Sequence, residues 1–145
     1  MRIAAALTLL SPFVPLLFMG EEWGASTPFL YFSDHRDPGI GRATSEGRVR
    51  EFREFGWRAE DIPDPQAQSS FERSRLRWSE VSQEPHTSLL AYHRELIDLR
   101  RQLTGAPCEV TADESSRSLV MRRGGAQVRC DFDRGTVDIQ QGGLA

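Results

Sequence analysis

The sequence predicts an α/β fold followed by a small antiparallel β unit, and three observations carry that prediction. An Ala- and Leu-rich stretch and then an apolar run open the chain, with polar residues directly behind the run. A strongly amphipathic segment follows after a long connection. Beyond it the hydrophobic period changes from that of a helix to that of a strand.

Ile3 to Leu10 is helical in composition, and Ser11-Pro12 stops it. Pro15-Leu16-Leu17-Phe18-Met19 then reads as a short strand, apolar without alternation. That pattern is expected where helices cover both faces of a parallel sheet. Gly20 ends the run, and Glu21, Glu22 and Trp23 stand at its carboxyl edge. Helix, strand, then polar residues at the strand's end is the order of elements in an α/β barrel, whose sites gather at that rim.

Residues 24 to 84 form a long, irregular connection, a length usually associated with function or a lid. Within it Ser45 to Phe55 is expected to be a short helix, capped by Thr44 or Ser45, with Val49 and Phe52 on one side. The turn Phe55-Gly56-Trp57, the loop Ile62-Pro63-Asp64-Pro65 and a second short segment from Phe71 to Trp78 complete it.

Pro85 to Leu103 is the clearest helix. Leu89, Tyr92, Leu96, Leu99 and Leu103 recur at spacings of three and four and form one apolar stripe. Arg100 and Arg101 suit the dipole of its last turn, and Gly105 suits its stop. From Cys108 onward the period is two. Strands are expected around Cys108–Val110, Ser118–Arg122, Gln127–Phe132 and Thr136–Ile139, with turns at Gly124-Gly125 and Arg134-Gly135. So few strands have little core of their own and must lean on the preceding helix.

Composition removes several classes of function. The formal net charge of -3 offers no general attraction to nucleic acid or to an anionic membrane. All 18 basic side chains are arginine, and neither lysine nor asparagine occurs, a coding bias that says nothing of function. Cys108 and Cys130 lack CxxC spacing and read as reduced, small apolar residues, which fits a cytoplasmic setting. The run from Met1 to Met19 has the outline of a secretory signal, but Pro12 and Pro15 interrupt it and Glu21-Glu22 follow at once. The same prolines break the roughly 20 apolar residues that a membrane-spanning helix needs. No phosphate-cradling glycine loop, Ser-His-Asp order or metal-ligand cluster is apparent, so neither a cofactor nor a metal is expected.

Taken together, several segments resemble a known family. Pro15-Leu-Leu-Phe-Met-Gly-Glu-Glu22 is similar to the eighth barrel strand of α-amylase superfamily glycoside hydrolases. Its extension from Ser11-Pro12-Phe13 to Trp23-Gly24 resembles the malto-oligosyltrehalose trehalohydrolases, as does Pro28-Phe29-Leu30-Tyr31-Phe32-Ser33-Asp34-His35. So do Arg48-Val-Arg-Glu-Phe52, Phe55-Gly56-Trp57, Ile62-Pro63-Asp64-Pro65-Gln66, Phe71-Glu72-Arg73-Ser74 and Leu76-Arg77-Trp78. Leu89 to Arg101 resembles the eighth barrel helix.

The resemblance covers residues 1 to 103 closely and 106 to 145 more loosely. It implies the C-terminal end of a (β/α)8 TIM barrel over residues 1–104, comprising strand eight, its long loop and helix eight. A small C-terminal β domain, truncated, would follow over 105–145. The implied activity is hydrolysis of the α-1,4 glucosidic bond next to the trehalose unit of a malto-oligosaccharide. It is a retaining reaction that needs two carboxyls about 5 Å apart. In the family these groups end the fourth, fifth and seventh strands, positions that precede Met1. No catalytic residue is therefore expected here, and the chain alone is expected to be inactive.

Substrate contact is assigned to Glu22, Trp23, Asp34 and His35. Glu21 and Glu22 cannot easily flank one bond, because neighbours on an extended strand point to opposite sides. One suits a supporting hydrogen bond and the other a surface charge. Trp23 either stacks on a sugar ring or packs beneath the loop. Asp34 and His35, beside Phe29, Tyr31 and Phe32, either offer hydrogen bonds to sugar hydroxyls or belong to a plain turn with Asp37-Pro38. His86 and His93 read as structural, and Arg48, Arg50 and Arg53 as a helix surface paired with Glu46, Glu51 and Glu54. Trp57 and Trp78 are expected to anchor the connection. The alternatives are a non-catalytic module that binds carbohydrate or a partner, another α-amylase superfamily enzyme, or a small secreted protein.

Overall fold

A computed structural model describes residues 1–142, which form two compact units. One comprises Met1–Ala25 with the chain from Ser79 onward, and the other comprises Ser26–Trp78.

In the first unit the opening helix, α1, spans Arg2–Leu10 and buries Ala5, Ala6, Leu9 and Leu10. Small alanines on its inner face let it lie close against the long helix His86–Gln102, numbered α4 in chain order. That helix buries Leu89, His93, Leu96 and Leu99, the stripe that its spacing predicts. Leu103, just past its end, joins the same core. Each fully buried leucine contributes about 1.5–3 kcal/mol. Tyr92 lies at the margin of this face, where the Arg2 guanidinium sits 4.8 Å from its ring centre. Arg2 lowers the Tyr92 pKa, but burial outweighs it and pushes the phenol up.

Four strands complete the unit: β1 (Cys108–Asp113), β2 (Ser118–Arg123), β3 (Ala126–Asp131) and β4 (Thr136–Gln141). They pair antiparallel in the order in which they occur in the chain. All four segments were expected; each extends beyond or is shifted from its predicted bounds by a residue or more at one end or both. Alternation places Met121, Ala126, Val128 and Cys130 on the face that meets α1 and α4. Gly124 and Gly125 make the two-residue turn between β2 and β3 with φ of 51° and 84°, positive values that side chains resist. A β-carbon on Gly124 would also come within 2.9 Å of the Ala106 side chain.

The run Pro15–Met19 departs from expectation. It forms no strand, and Val14 and Leu16 are 93% and 88% exposed. A strand is held by a ladder of hydrogen bonds to its neighbours, and among the described residues no strand lies beside this run. Apolar composition alone does not make it a strand.

The second unit contains α2 (Pro38–Glu54) and α3 (Gln68–Arg73). The first of these begins seven residues ahead of the expected Ser45. Glycines at 39, 41 and 47 and Thr44 lower helix propensity and mask its first half. The true start is Asp37, whose carboxylate accepts from the backbone N–H groups of Gly39 (2.7 Å) and Ile40 (3.1 Å), with Pro38 in the first turn. The Asp37-Pro38 pair is therefore a helix start, not a free-standing turn. Gly41 is buried, and a β-carbon there would stand 2.8 Å from the Gln66 Oε1. This bare spot lets the helix lie against the loop around Gln66. Ser45 fastens it there by donating to the Asp64 carboxylate at 2.6 Å.

Candidate functional site

The four residues assigned to substrate contact fall in different units. Glu22 and Trp23 lie in a single 3-10 turn, Glu21–Trp23, set between Gly20 (φ 83°) and Gly24 (φ 66°). The two positive φ values close the turn tightly, and the Glu21 carboxylate braces it by accepting from the Phe18 N–H at 3.0 Å. Glu21 is thus the supporting member of the acidic pair, and Glu22 is half-buried. Trp23 is only 3% exposed, a packing position rather than an open stacking face. Its carbonyl accepts from the His86 Nδ1–H at 2.8 Å, so a histidine that sequence reasoning set aside as structural ties the turn to the start of α4.

Asp34 and His35 are exposed on an extended segment of the second unit. Gln66 holds that segment from the side. Its Oε1 accepts from the His35 backbone N–H at 3.2 Å, and its Nε2 donates to the Ser33 carbonyl at 3.0 Å and to the Ser33 hydroxyl. The Ser33 N–H in turn donates to the Pro65 carbonyl at 2.8 Å. Beside this clamp lies a cavity of about 400 Å³ walled by Phe32 and Phe71, with Asp34, Gln66 and Gln68 at its polar edge. The two phenyl rings meet edge to face, 5.2 Å between centres.

Asp34 lines this cavity and His35 does not. Among the described residues no hydrogen bond joins the two side chains, and both stay exposed to solvent. Sequence reasoning missed Gln66. Its only signal was its place after the turn-forming Asp64-Pro65, and nothing in a one-dimensional pattern pairs residue 66 with residues 33 and 35.

Chemically the cavity offers an apolar wall and neutral or acidic hydrogen-bonding groups along one edge. Asp34 is the only carboxylate in its lining, and glycoside hydrolysis requires two carboxyls flanking the bond. The arrangement offers hydrogen-bond donors and acceptors beside an apolar wall.

No family model matches the chain. Comparison with individual proteins is decisive. Malto-oligosyltrehalose trehalohydrolase of Arthrobacter ramosus is 49% identical over 144 residues, covering 97% of this chain. The protein of the same name from Saccharolobus solfataricus is 31% identical over 144 residues, covering 98%. The chain belongs with the malto-oligosyltrehalose trehalohydrolases. It spans about a quarter of the length of these relatives, 25% and 23% respectively, and corresponds to their C-terminal part. A solved structure from Salmonella typhimurium carrying a provisional alpha amylase name superposes with a TM-score of 0.70 at 36% identity. That match covers 88% of this chain and 23% of the other. The superfamily and the family implied by the strand-eight pattern and the Asp34-His35 segment are thereby established for this trehalohydrolase relative.

Proposed function

We propose that this chain is the closing segment of a glycoside hydrolase that releases trehalose from malto-oligosyltrehalose, and that it positions substrate without itself cleaving the bond. Residues 1–104 are the end of the catalytic barrel, and residues 105–145 are a small C-terminal β domain. The observation that carries the reading is the likeness to trehalohydrolases over nearly the whole chain, up to 49% identical to the Arthrobacter ramosus protein.

The exposed run at Val14 and Leu16 supports it. Soluble proteins rarely leave contiguous apolar residues in water unless another surface covers them. In this reading the run is the eighth barrel strand, ordered once a neighbouring strand supplies hydrogen bonds along its edge. Glu22 then stands at the barrel mouth, and the Gly20 and Gly24 turns fix it there. Asp34, with Phe32 and Phe71, contributes a hydroxyl-binding edge and an apolar wall. The catalytic carboxylates come from earlier strands, and the setting is cytoplasmic.

The test is complementation. The chain is co-expressed with the preceding three quarters of the Arthrobacter ramosus protein, and trehalose release from malto-oligosyltrehalose is measured. Activity from the pair and none from the chain alone is the expected result. Full activity from the isolated chain would remove the non-catalytic part of the reading. An inactive pair, with both parts soluble and associated, would remove the trehalohydrolase assignment.

A further inference from the structure

The second unit contains another cavity, of about 230 Å³, that no site residue above touches. Tyr31, Arg48, Phe52 and Trp57 form its walls, closed by Ile62 and Pro63. We propose that it is a second carbohydrate subsite, which seats one neutral pyranose ring of a malto-oligosaccharide.

The first argument is the way its aromatic side chains are held. Trp57 is 51% exposed and Tyr31 is 47% exposed, yet each has a partner, Phe52 for Trp57 and the Arg48 guanidinium for Tyr31. The Trp57 ring meets Phe52 edge to face at 5.2 Å, and its backbone N–H donates to the Phe52 carbonyl at 3.2 Å. An ordered aromatic face left open to water suits the apolar C–H face of a sugar. Binding then costs little ordering entropy, because the ring is already in place.

Arg48 supplies the polar side. Its guanidinium sits 4.2 Å from the centre of the Phe52 ring and 5.1 Å from that of Tyr31. One Nη1–H is committed to the Glu51 carboxylate at 3.0 Å. The guanidinium has further N–H donors beyond the one given to Glu51, and its contacts with the two rings and Glu51 hold it against the cavity wall. The nearby carboxylate offsets much of the charge of the guanidinium, which lowers the attraction of the site for an anion. A phosphate or a nucleotide would gain little there, whereas a hydroxylated neutral ring gains both stacking and hydrogen bonds.

The volume lies below the range of pockets that hold drug-sized ligands, which suits a single ring. The same two segments wall both cavities. Phe29 to Tyr31 with Ile62-Pro63 face this one, and Phe32 to Asp34 with Pro65 to Gln68 face the other. Two ring sites on one framework favour an oligosaccharide over a monosaccharide, since the second contact is then intramolecular. The demand for a neutral hydroxylated ring comes from the geometry; the choice of a glucosyl unit rests on the proposed function.

The 145-residue chain is titrated with glucose, maltotriose and maltohexaose, following tryptophan fluorescence and heat of binding, with inorganic phosphate as the anionic control. Maltohexaose is expected to bind more tightly than maltotriose, and phosphate not at all. Trp57→Ala is expected to weaken maltohexaose binding at least tenfold, and Trp57→Phe to restore most of it. Arg48→Gln, at a side chain outside the buried core, serves as a second variant should Trp57→Ala lose its circular-dichroism spectrum; it is expected to weaken binding severalfold. Unchanged affinity in a folded Trp57→Ala or Arg48→Gln variant overturns the proposal, as does an absence of maltohexaose binding. Complementation does not depend on this outcome. An active pair with unaltered binding in the variants removes the subsite alone, and an inactive pair with Trp57-dependent binding removes the trehalohydrolase reading alone.

Discussion

Arg123 on β2 donates through Nη1 to the carbonyl of Ser11 at 2.6 Å, across 112 residues of sequence. The same Nη1 reaches the Leu10 carbonyl at 3.0 Å. Arg100 on α4 converges on the same place from the other side, donating to the carbonyls of Leu9 (2.6 Å), Ser11 (2.8 Å) and Phe13 (2.8 Å). The last carbonyls of any helix lack partners within it. Here two guanidinium groups satisfy them at the end of α1, where the helix dipole also favours positive charge. They thereby fix the direction in which the chain leaves toward Leu16.

Arg123→Met is expected to destabilise the chain by about 1.5–3 kcal/mol, since it removes charge-assisted hydrogen bonds from a side chain that is 7% exposed. Arg122→Met, on the outer face of the sheet, is the control and should lie within about 0.5 kcal/mol of the parent. Urea denaturation distinguishes the two. The effects of Arg123→Met and Arg100→Met should not add, because both side chains bind the Ser11 carbonyl.

Gly41→Ala drives a β-carbon toward the Gln66 Oε1, which is otherwise the acceptor for His35. A free side-chain tip would swing away, but this one is tied at both ends to the Ser33–His35 segment. The cost of about one net hydrogen bond is offset by the better helix propensity of alanine, so stability should change by less than about 1 kcal/mol. Faster amide exchange at His35 should accompany it, while exchange in the four-stranded sheet is unchanged.

The Asp113 carboxyl is held down at about 2 by hydrogen bonds from the Ser115 and Ser116 hydroxyls and then from their backbone N–H groups. Its value when unfolded is the ordinary 3.8. A carboxyl with a depressed folded pKa favours the fold above its unfolded value, and that contribution disappears as pH falls from about 3.8 through about 2. Stability curves measured from pH 5 to pH 2 should therefore fall more steeply for the parent than for Asp113→Asn, which cannot titrate.

Leu16→Gln separates the order of the chain itself from the order it acquires on assembly. Leu16 is 88% exposed, so the isolated chain should keep its stability to within about 0.5 kcal/mol. In the complementation experiment the proposed barrel would take the same amide into its interior, and trehalose release should fall at least tenfold. Equal activity in the variant would mean that the run does not become a buried stave.

Local and periodic information was enough for the helices at Ile3–Leu10 and Pro85–Leu103 and for the four strands after Cys108. The leucine stripe and the alternation around Val128 mark which face of each element is to be buried, before the partner is known. The likeness to the trehalohydrolases was also readable, from the resemblance of the segments Ser11 to Gly24 and Pro28 to His35 to that family. What the pattern could not give was any property fixed by partners far away in sequence. Leu16 reads as buried because it is apolar, but burial requires a neighbour to cover it. Gly41 reads as a weak helix residue, and its reason is Gln66. The clamp on Asp34, the open cavity beside Arg48 and the two arginines at the end of α1 all depend on long-range hydrogen bonds and ring contacts. Such contacts leave no periodic trace in the chain, so only the tertiary structure decided them.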